Sequence, residues 1–112
     1  MSNDTTPFLS DNKSSLKGKV AVVTGSTQGL GEATVRLFKE RGCRGLVITG
    51  RNEERGLRLA NELTLPSCTV IFVKADLGNL DECRNIMKVT DETFGTLDIL
   101  VKAAATTDRG SI

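Results

Sequence analysis

Apolar residues along this chain fall into two kinds of run that alternate. The first kind is short and unbroken: Val20-Ala21-Val22-Val23, Leu46-Val47-Ile48, Val70-Ile71-Phe72-Val73 and Ile99-Leu100-Val101. Runs of this length without polar alternation predict strands buried on both faces, as in a parallel sheet covered by helices. The second kind spaces its apolar residues at i, i+3, i+4, i+7, the period of a helix with one inward face. The first strand is expected over Val20–Thr24. A helix follows to about Arg41, with Leu30, Ala33, Thr34, Leu37 and Phe38 as its stripe, and Arg41-Gly42 supplies a basic last turn and a glycine stop. The second strand is Leu46–Thr49, closed by Gly50. The second helix runs from about Glu53 to Leu63 with Leu57, Ala60 and Leu63 inward, and Pro66 lies just beyond it. The third strand is Thr69–Val73. The third helix runs from about Leu80 to Thr93, with Leu80, Cys83, Ile86, Met87, Thr90 and Phe94 on one face. The fourth strand is Asp98–Val101.

This β-α-β-α-β-α-β alternation predicts an α/β fold, a doubly wound parallel sheet. Right-handed crossovers give the strand order 3-2-1-4. Strands one and four are then neighbours, and the crevice where the order reverses opens at the carboxyl end of strand one. The chain stops soon after strand four, so the sheet is read as truncated there, with one apolar edge bare.

A length of 112 residues means one domain or part of one. Residues 1–16 are polar and are expected to form a disordered leader; residues 17–112 hold the partial domain. A net charge of +1 gives no electrostatic case for nucleic acid or an anionic membrane. No apolar run approaches the roughly 20 residues that span a bilayer, and the leader resembles neither a signal nor a transit peptide. A cytoplasmic protein is the default expectation. Cys43, Cys68 and Cys83 are odd in number and widely spaced, which fits neither a disulfide framework nor a zinc site. They read as small buried hydrophobes, and no metal site is expected.

Chemistry concentrates in Thr24-Gly25-Ser26-Thr27-Gln28-Gly29-Leu30-Gly31, between the first strand and the first helix. Backbone N–H groups at a helix start are unpaired and the helix dipole favours negative charge there. Glycines let the turn close and let a phosphate approach the backbone. A phosphate-binding turn is therefore expected over Gly25, Ser26, Thr27, Gln28, Gly29, Leu30 and Gly31. A purely structural glycine turn is the alternative.

Lys19 to Gly31, KVAVVTGSTQGLG, closely resembles the opening of the short-chain dehydrogenase/reductase family. Val73-Lys74-Ala75-Asp76-Leu77 is similar to the family's Asp-Leu/Val after strand three. Leu97-Asp98-Ile99-Leu100-Val101 is similar to its strand four. The resemblance covers nearly everything after Leu16. It implies a Rossmann-like fold, a nicotinamide dinucleotide across the crevice, and the N-terminal cofactor-binding half of an oxidoreductase that interconverts an alcohol and a carbonyl. It also implies a homo-oligomer for the complete protein. The glycine turn would hold the pyrophosphate and the adenosine ribose. Asp76 would accept from the adenine amino group, with the Leu77 N–H nearby; the alternative for Asp76 is a turn aspartate. An acid after strand two would chelate the ribose of NAD, but this chain has Gly50-Arg51-Asn52, with Arg51 20 residues past Gly31. A guanidinium pairs bidentately with a phosphate, which favours NADP over NAD. The alternative for Arg51 is a solvated residue before the second helix.

The sequence also departs from the family. Lys102-Ala103-Ala104-Ala105 replaces Asn-Asn-Ala-Gly, so Ala103, Ala104 and Ala105 would line the nicotinamide side and Lys102 stands where an asparagine is expected. A buried unpaired ammonium would be strongly unfavourable, so Lys102 is expected to reach solvent or to mark an altered chain. The family's Ser and Tyr-x-x-x-Lys are missing. The chain contains no tyrosine and no histidine, so no catalytic residue is assigned and the chain alone is expected to be inactive. A truncated, non-catalytic nucleotide-binding or interaction module is the alternative function. An S-adenosylmethionine methyltransferase shares the sheet order but is disfavoured, because Thr24 precedes Gly25-x-x-x-Gly29 where such enzymes carry an acid before a tighter glycine turn.

Overall fold

The computed structural model describes residues 16–27 and 29–103. Within them the elements alternate as expected: β1 Val20–Thr24, α1 Gly29–Glu40, β2 Gly45–Gly50, α2 Glu53–Leu63, β3 Thr69–Lys74, α3 Leu80–Phe94 and β4 Ile99–Lys102. All pairings are parallel and the order is β3-β2-β1-β4. Strand four sits one residue later than expected, because Asp98 acts as an anchor and not as a ladder residue. Its Oδ2 accepts the Val20 N–H at 2.9 Å and its own N–H reaches Val20 O at 2.9 Å. The expected leader lies outside the described residues except for Leu16, which packs against the core.

Helices cover both faces of the sheet. Val35 of α1 and Leu59, Ala60 and Leu63 of α2 pack on Ala21, Val23, Leu46, Ile48 and Val70. Ile86, Val89 and Phe94 of α3 pack on Val22, Val47 and Val73. Alternate residues of each strand therefore serve opposite cores, and β1 is buried along its whole length.

The helix faces differ from the periodicity reading. In α1 the inward residues are Gly31, Val35 and Phe38, while Leu30 is 74% exposed and Leu37 and Ala33 also face out. The stripe is rotated because α1 meets β1 through a glycine, which apolar periodicity does not count. The same holds in α2. Gly56, Leu59, Ala60 and Leu63 are buried and Leu57 is exposed, because Gly56 lies against the ring of Phe72. In α3 only Ile86 and Thr90 are fully buried. Leu80 and Met87 are exposed and Phe94 is half-buried.

Asn52 caps α2, its side chain accepting the Arg55 N–H at 3.0 Å, and Asn79 caps α3 by accepting the Glu82 N–H at 3.1 Å. Gly95 ends α3 in the left-handed region. Among the described residues, no helix is long and apolar enough to cross a membrane, and no cluster of side chains is suited to hold a metal ion.

Candidate functional site

Because the strands run parallel, all four carboxyl ends open onto one edge, and each of β1, β2 and β3 is followed there by a helix start. The sequence-predicted site residues within the described segments all fall on this edge. Gly25, Ser26, Thr27, Gly29, Leu30 and Gly31 follow β1; Arg51 and Asn52 follow β2; Asp76 and Leu77 follow β3; Ala103 follows β4. Gln28, Ala104 and Ala105 lie outside the described residues.

The turn after β1 is built around three glycines. Gly25 and Gly29 have φ of +66° and +61°, a region that favours glycine. Gly31 has no special φ but no room either. A Cβ there would fall on the Gly25 carbonyl oxygen and within 2.6 Å of Ser26 Cα. The missing side chain is what lets α1 approach the turn so closely. The first turn of α1 is exposed at Gly29 and Leu30, and the N–H groups of a helix start have no intrahelical partner, as an anion site needs.

Ser26 also ties the turn to the sheet. It is fully buried, and its hydroxyl accepts the Thr49 N–H at 2.9 Å while donating to Thr49 O at 3.3 Å. Its own N–H donates to Thr49 O at 3.0 Å. These bonds tie the turn to the end of β2. Beside them, Thr49 Oγ1 is a buried oxygen without a hydrogen-bond partner among the described residues. Thr27 lies against Gly50, where a Cβ would meet Thr27 Cγ2 at 2.9 Å. The glycine at position 50 thus gains a reason the sequence did not show: the last residue of β2 must be small because the turn after β1 rests on it.

Arg51 is exposed and takes no hydrogen-bond or ion-pair partner among the described residues. Asn52 is the cap of α2, so its side chain serves the helix. Asp76 is exposed, and its Oδ1 accepts the Gly78 N–H at 2.9 Å in an Asx turn, while Glu82 Oε1 holds its N–H at 2.7 Å. The turn reading of Asp76 is thus observed, while Oδ2 has no partner among the described residues. Glu82 was not singled out from sequence, although the Asn79-x-x-Glu82 spacing of a capping box marks it. Leu77 is 38% exposed, and its carbonyl accepts from Cys83 Sγ at 3.5 Å. Ala103 donates to Thr24 O at 3.2 Å, continuing the β1–β4 ladder to the edge. Lys102 pairs with Thr24 in register and is exposed, so it carries no burial penalty in this structure.

Two surface grooves lie away from this edge. One, of about 450 Å³, is at the amino ends of β1 and β2; the other, of about 650 Å³, runs between α1 and α2. Neither touches a site residue. The carboxyl edge is recognised by its backbone geometry, not by enclosure, and that geometry suits an extended ligand with phosphates. Gly29 leaves open backbone at the turn, the helix starts supply N–H donors, and Arg51 supplies a cation.

Comparison with known proteins agrees with this architecture. The family model described as short chain dehydrogenase matches residues 19–112. An uncharacterized oxidoreductase of Staphylococcus aureus (strain USA300) is 42% identical over 89 residues, which is 80% of this chain and 37% of that protein. The (+)-cis,trans-nepetalactol synthase of Nepeta racemosa is 35% identical over 89 residues, again 80% of this chain but 32% of the relative. The crystal structure of a short chain dehydrogenase from Bacillus anthracis str. 'Ames Ancestor' superposes with a TM-score of 0.73 at 34% identity, covering 80% of this chain and 36% of that one. The chain thus spans about a third of the length of the curated relatives it matches. The glycine turn, the strand order and these likenesses agree, and the chain belongs to the short-chain dehydrogenase family.

Proposed function

We propose that this chain is the NADP-binding part of an oxidoreductase that interconverts an alcohol and a carbonyl. The observation that carries the reading is the pairing of two features on one edge: a turn whose Gly31 leaves no space for a Cβ, and an exposed Arg51 without a partner among the described residues. A bound nicotinamide dinucleotide would supply the hydride. The chain's own residues bind and orient. The N–H groups of the turn and of the start of α1 would hold the pyrophosphate, Arg51 would hold the 2′-phosphate, and Asp76 with the Leu77 N–H would hold the adenine. Ser26 and Thr49 hold the turn in shape, and Ala103, with Ala104 and Ala105 beyond the described residues, would line the nicotinamide side.

Titration calorimetry tests this reading. NADP(H) should bind more tightly than NAD(H), and Arg51→Ala should weaken NADP(H) by about 10- to 100-fold, the equivalent of roughly 1.5–3 kcal/mol for a charged hydrogen bond, with NAD(H) nearly unchanged. Tighter NAD(H) binding by the unmutated chain would return Arg51 to a solvated surface residue.

A second reading, a non-catalytic nucleotide-binding module, has one observation in its favour. The chain contains no tyrosine and no histidine, and so no phenol or imidazole to move the alcohol proton. The purified chain alone should oxidise no NADPH above background with any carbonyl. Turnover that tracks the protein through purification would exclude the module reading.

A further inference from the structure

The groove at the amino edge holds chemistry that the site above does not use. It is lined by Cys43 and Cys68 together with Lys17, Lys39, Arg41 and Arg44. Cys43 lies two residues ahead of β2 and Cys68 immediately ahead of β3, neighbouring strands of the sheet. Gly45 pairs with Thr69, and the Thr69 N–H donates to Arg44 O at 3.0 Å. The ladder itself begins at Gly45 and Thr69, and the two cysteines just ahead of it are brought together by the groove they both line. Both side chains also enter the same core cluster, so they point to the same side of the sheet. Both are free thiols and nearly buried, with the groove beside them. Cys83, the third cysteine, belongs to α3 on the other face.

We propose that Cys43 and Cys68 form a reversible dithiol–disulfide site at the amino edge, reached through the groove by a small anionic disulfide such as glutathione disulfide. The cations around the groove favour an anionic reagent, and the aliphatic stems of its lysines suit the apolar floor. The reaction is an exchange. A thiolate of the pair attacks one sulfur of the reagent, a mixed disulfide forms and one glutathione thiolate leaves. The second cysteine, losing its proton to solvent, attacks the protein sulfur of the mixed disulfide and releases the second glutathione. The protein loses two electrons and two protons, and the reagent takes them up as two thiols. Cys68 is the better first nucleophile: Lys39 opposes the burial that lifts its thiol, whereas burial, Cys68 and Asp98 all act to raise Cys43. The product ties the turn ahead of β2 to the start of β3, at the end of the sheet opposite the proposed dinucleotide edge.

The test treats the full chain with glutathione disulfide, alkylates the remaining thiols and maps the pairs by mass spectrometry, in native buffer and in urea. In native buffer, Cys43–Cys68 should be the dominant internal disulfide, with Cys83 recovered alkylated or as a glutathione adduct. In urea the pairing should scatter over the three possible pairs. Cys83→Ser should leave the native pair unchanged, and Cys68→Ser should remove it without Cys43 turning to Cys83. The proposal is overturned if Cys43 and Cys68 stay reduced while Cys83 reacts. It is equally overturned if the native pairs match the distribution in urea, which covers the case of a chain that does not hold its fold.

Discussion

At the amino edge of the sheet, Arg44 donates from Nε to Gly18 O at 3.2 Å and from Nη2 to Phe94 O at 3.1 Å. At the carboxyl edge, Arg51 takes no partner among the described residues. Both are exposed arginines flanking β2, at opposite ends of it. Their difference follows from the direction of the strands. In a parallel sheet with right-handed crossovers, helix ends and their unpaired carbonyls gather on the amino edge, and helix starts with their N–H groups gather on the carboxyl edge. A cation at the amino edge finds acceptors already there. A cation at the carboxyl edge sits among groups of its own sign, and the acids Glu53 and Glu54 in the first turn of α2 do not pair with it. Arg44 is thus held by the fold, whereas Arg51 is left without a partner among the described residues, as the proposed 2′-phosphate contact requires.

The comparison breaks most visibly at Gly31. Gly31→Ala drives a methyl into the Gly25 carbonyl, and overpacking of a site that cannot yield costs about 3 kcal/mol. Urea denaturation should show that loss, and dinucleotide binding should disappear with it. The two arginines give a crossed test of smaller size. Arg44→Ala should lower stability by about 1 kcal/mol and leave dinucleotide affinity alone. Arg51→Ala should do the reverse, with unchanged stability and weakened NADP(H). If both variants move the same observable, the two edges do not differ as described.

Alkaline pH probes the amino edge alone. Burial, with smaller contributions from Cys68 and Asp98, lifts the Cys43 thiol from its ordinary 9.0 to about 11. The folded chain then holds the proton where the unfolded chain has lost it. The stability this brings is fully present below about pH 9 and declines as pH rises through about 11. Cys43→Ala should flatten that decline in denaturation midpoints measured from pH 8 upward. The smallest effect is expected at Thr49, whose buried hydroxyl has no partner among the described residues. Thr49→Val removes it without changing shape and should raise stability by up to about 1 kcal/mol, seen as a higher melting temperature.

The strands and their order were legible because a sheet covered on both faces writes short apolar runs into the chain, and crossover handedness does the rest. The glycine turn was legible because its residues are contiguous. Helix rotation was not. Gly31 and Gly56 set which face of α1 and α2 meets the sheet, and a contact made by an absent side chain leaves no apolar mark. Nor could the sequence show that Ser26 bonds to Thr49, or that Thr27 rests on Gly50, since each pair is separated by 23 residues and meets only through β1–β2 pairing. Asn52 and Asp76 look like ligand residues in the family pattern, yet each also closes a local turn or cap that the sequence displayed just as plainly.

The Ser26–Thr49 bonds have a consequence for the order of events in folding. The turn that follows β1 is local in sequence, but its shape depends on a partner 23 residues away. The loop between them, α1 included, must close before the turn settles, so the turn matures only after β2 docks beside β1. Mutating Ser26 should therefore speed unfolding far more than it slows folding if the turn forms after the rate-limiting step, giving a low φ-value. The amide of Thr49 should exchange with solvent in step with the turn and not with the middle of β2, which makes that single N–H a reporter of the moment the turn opens.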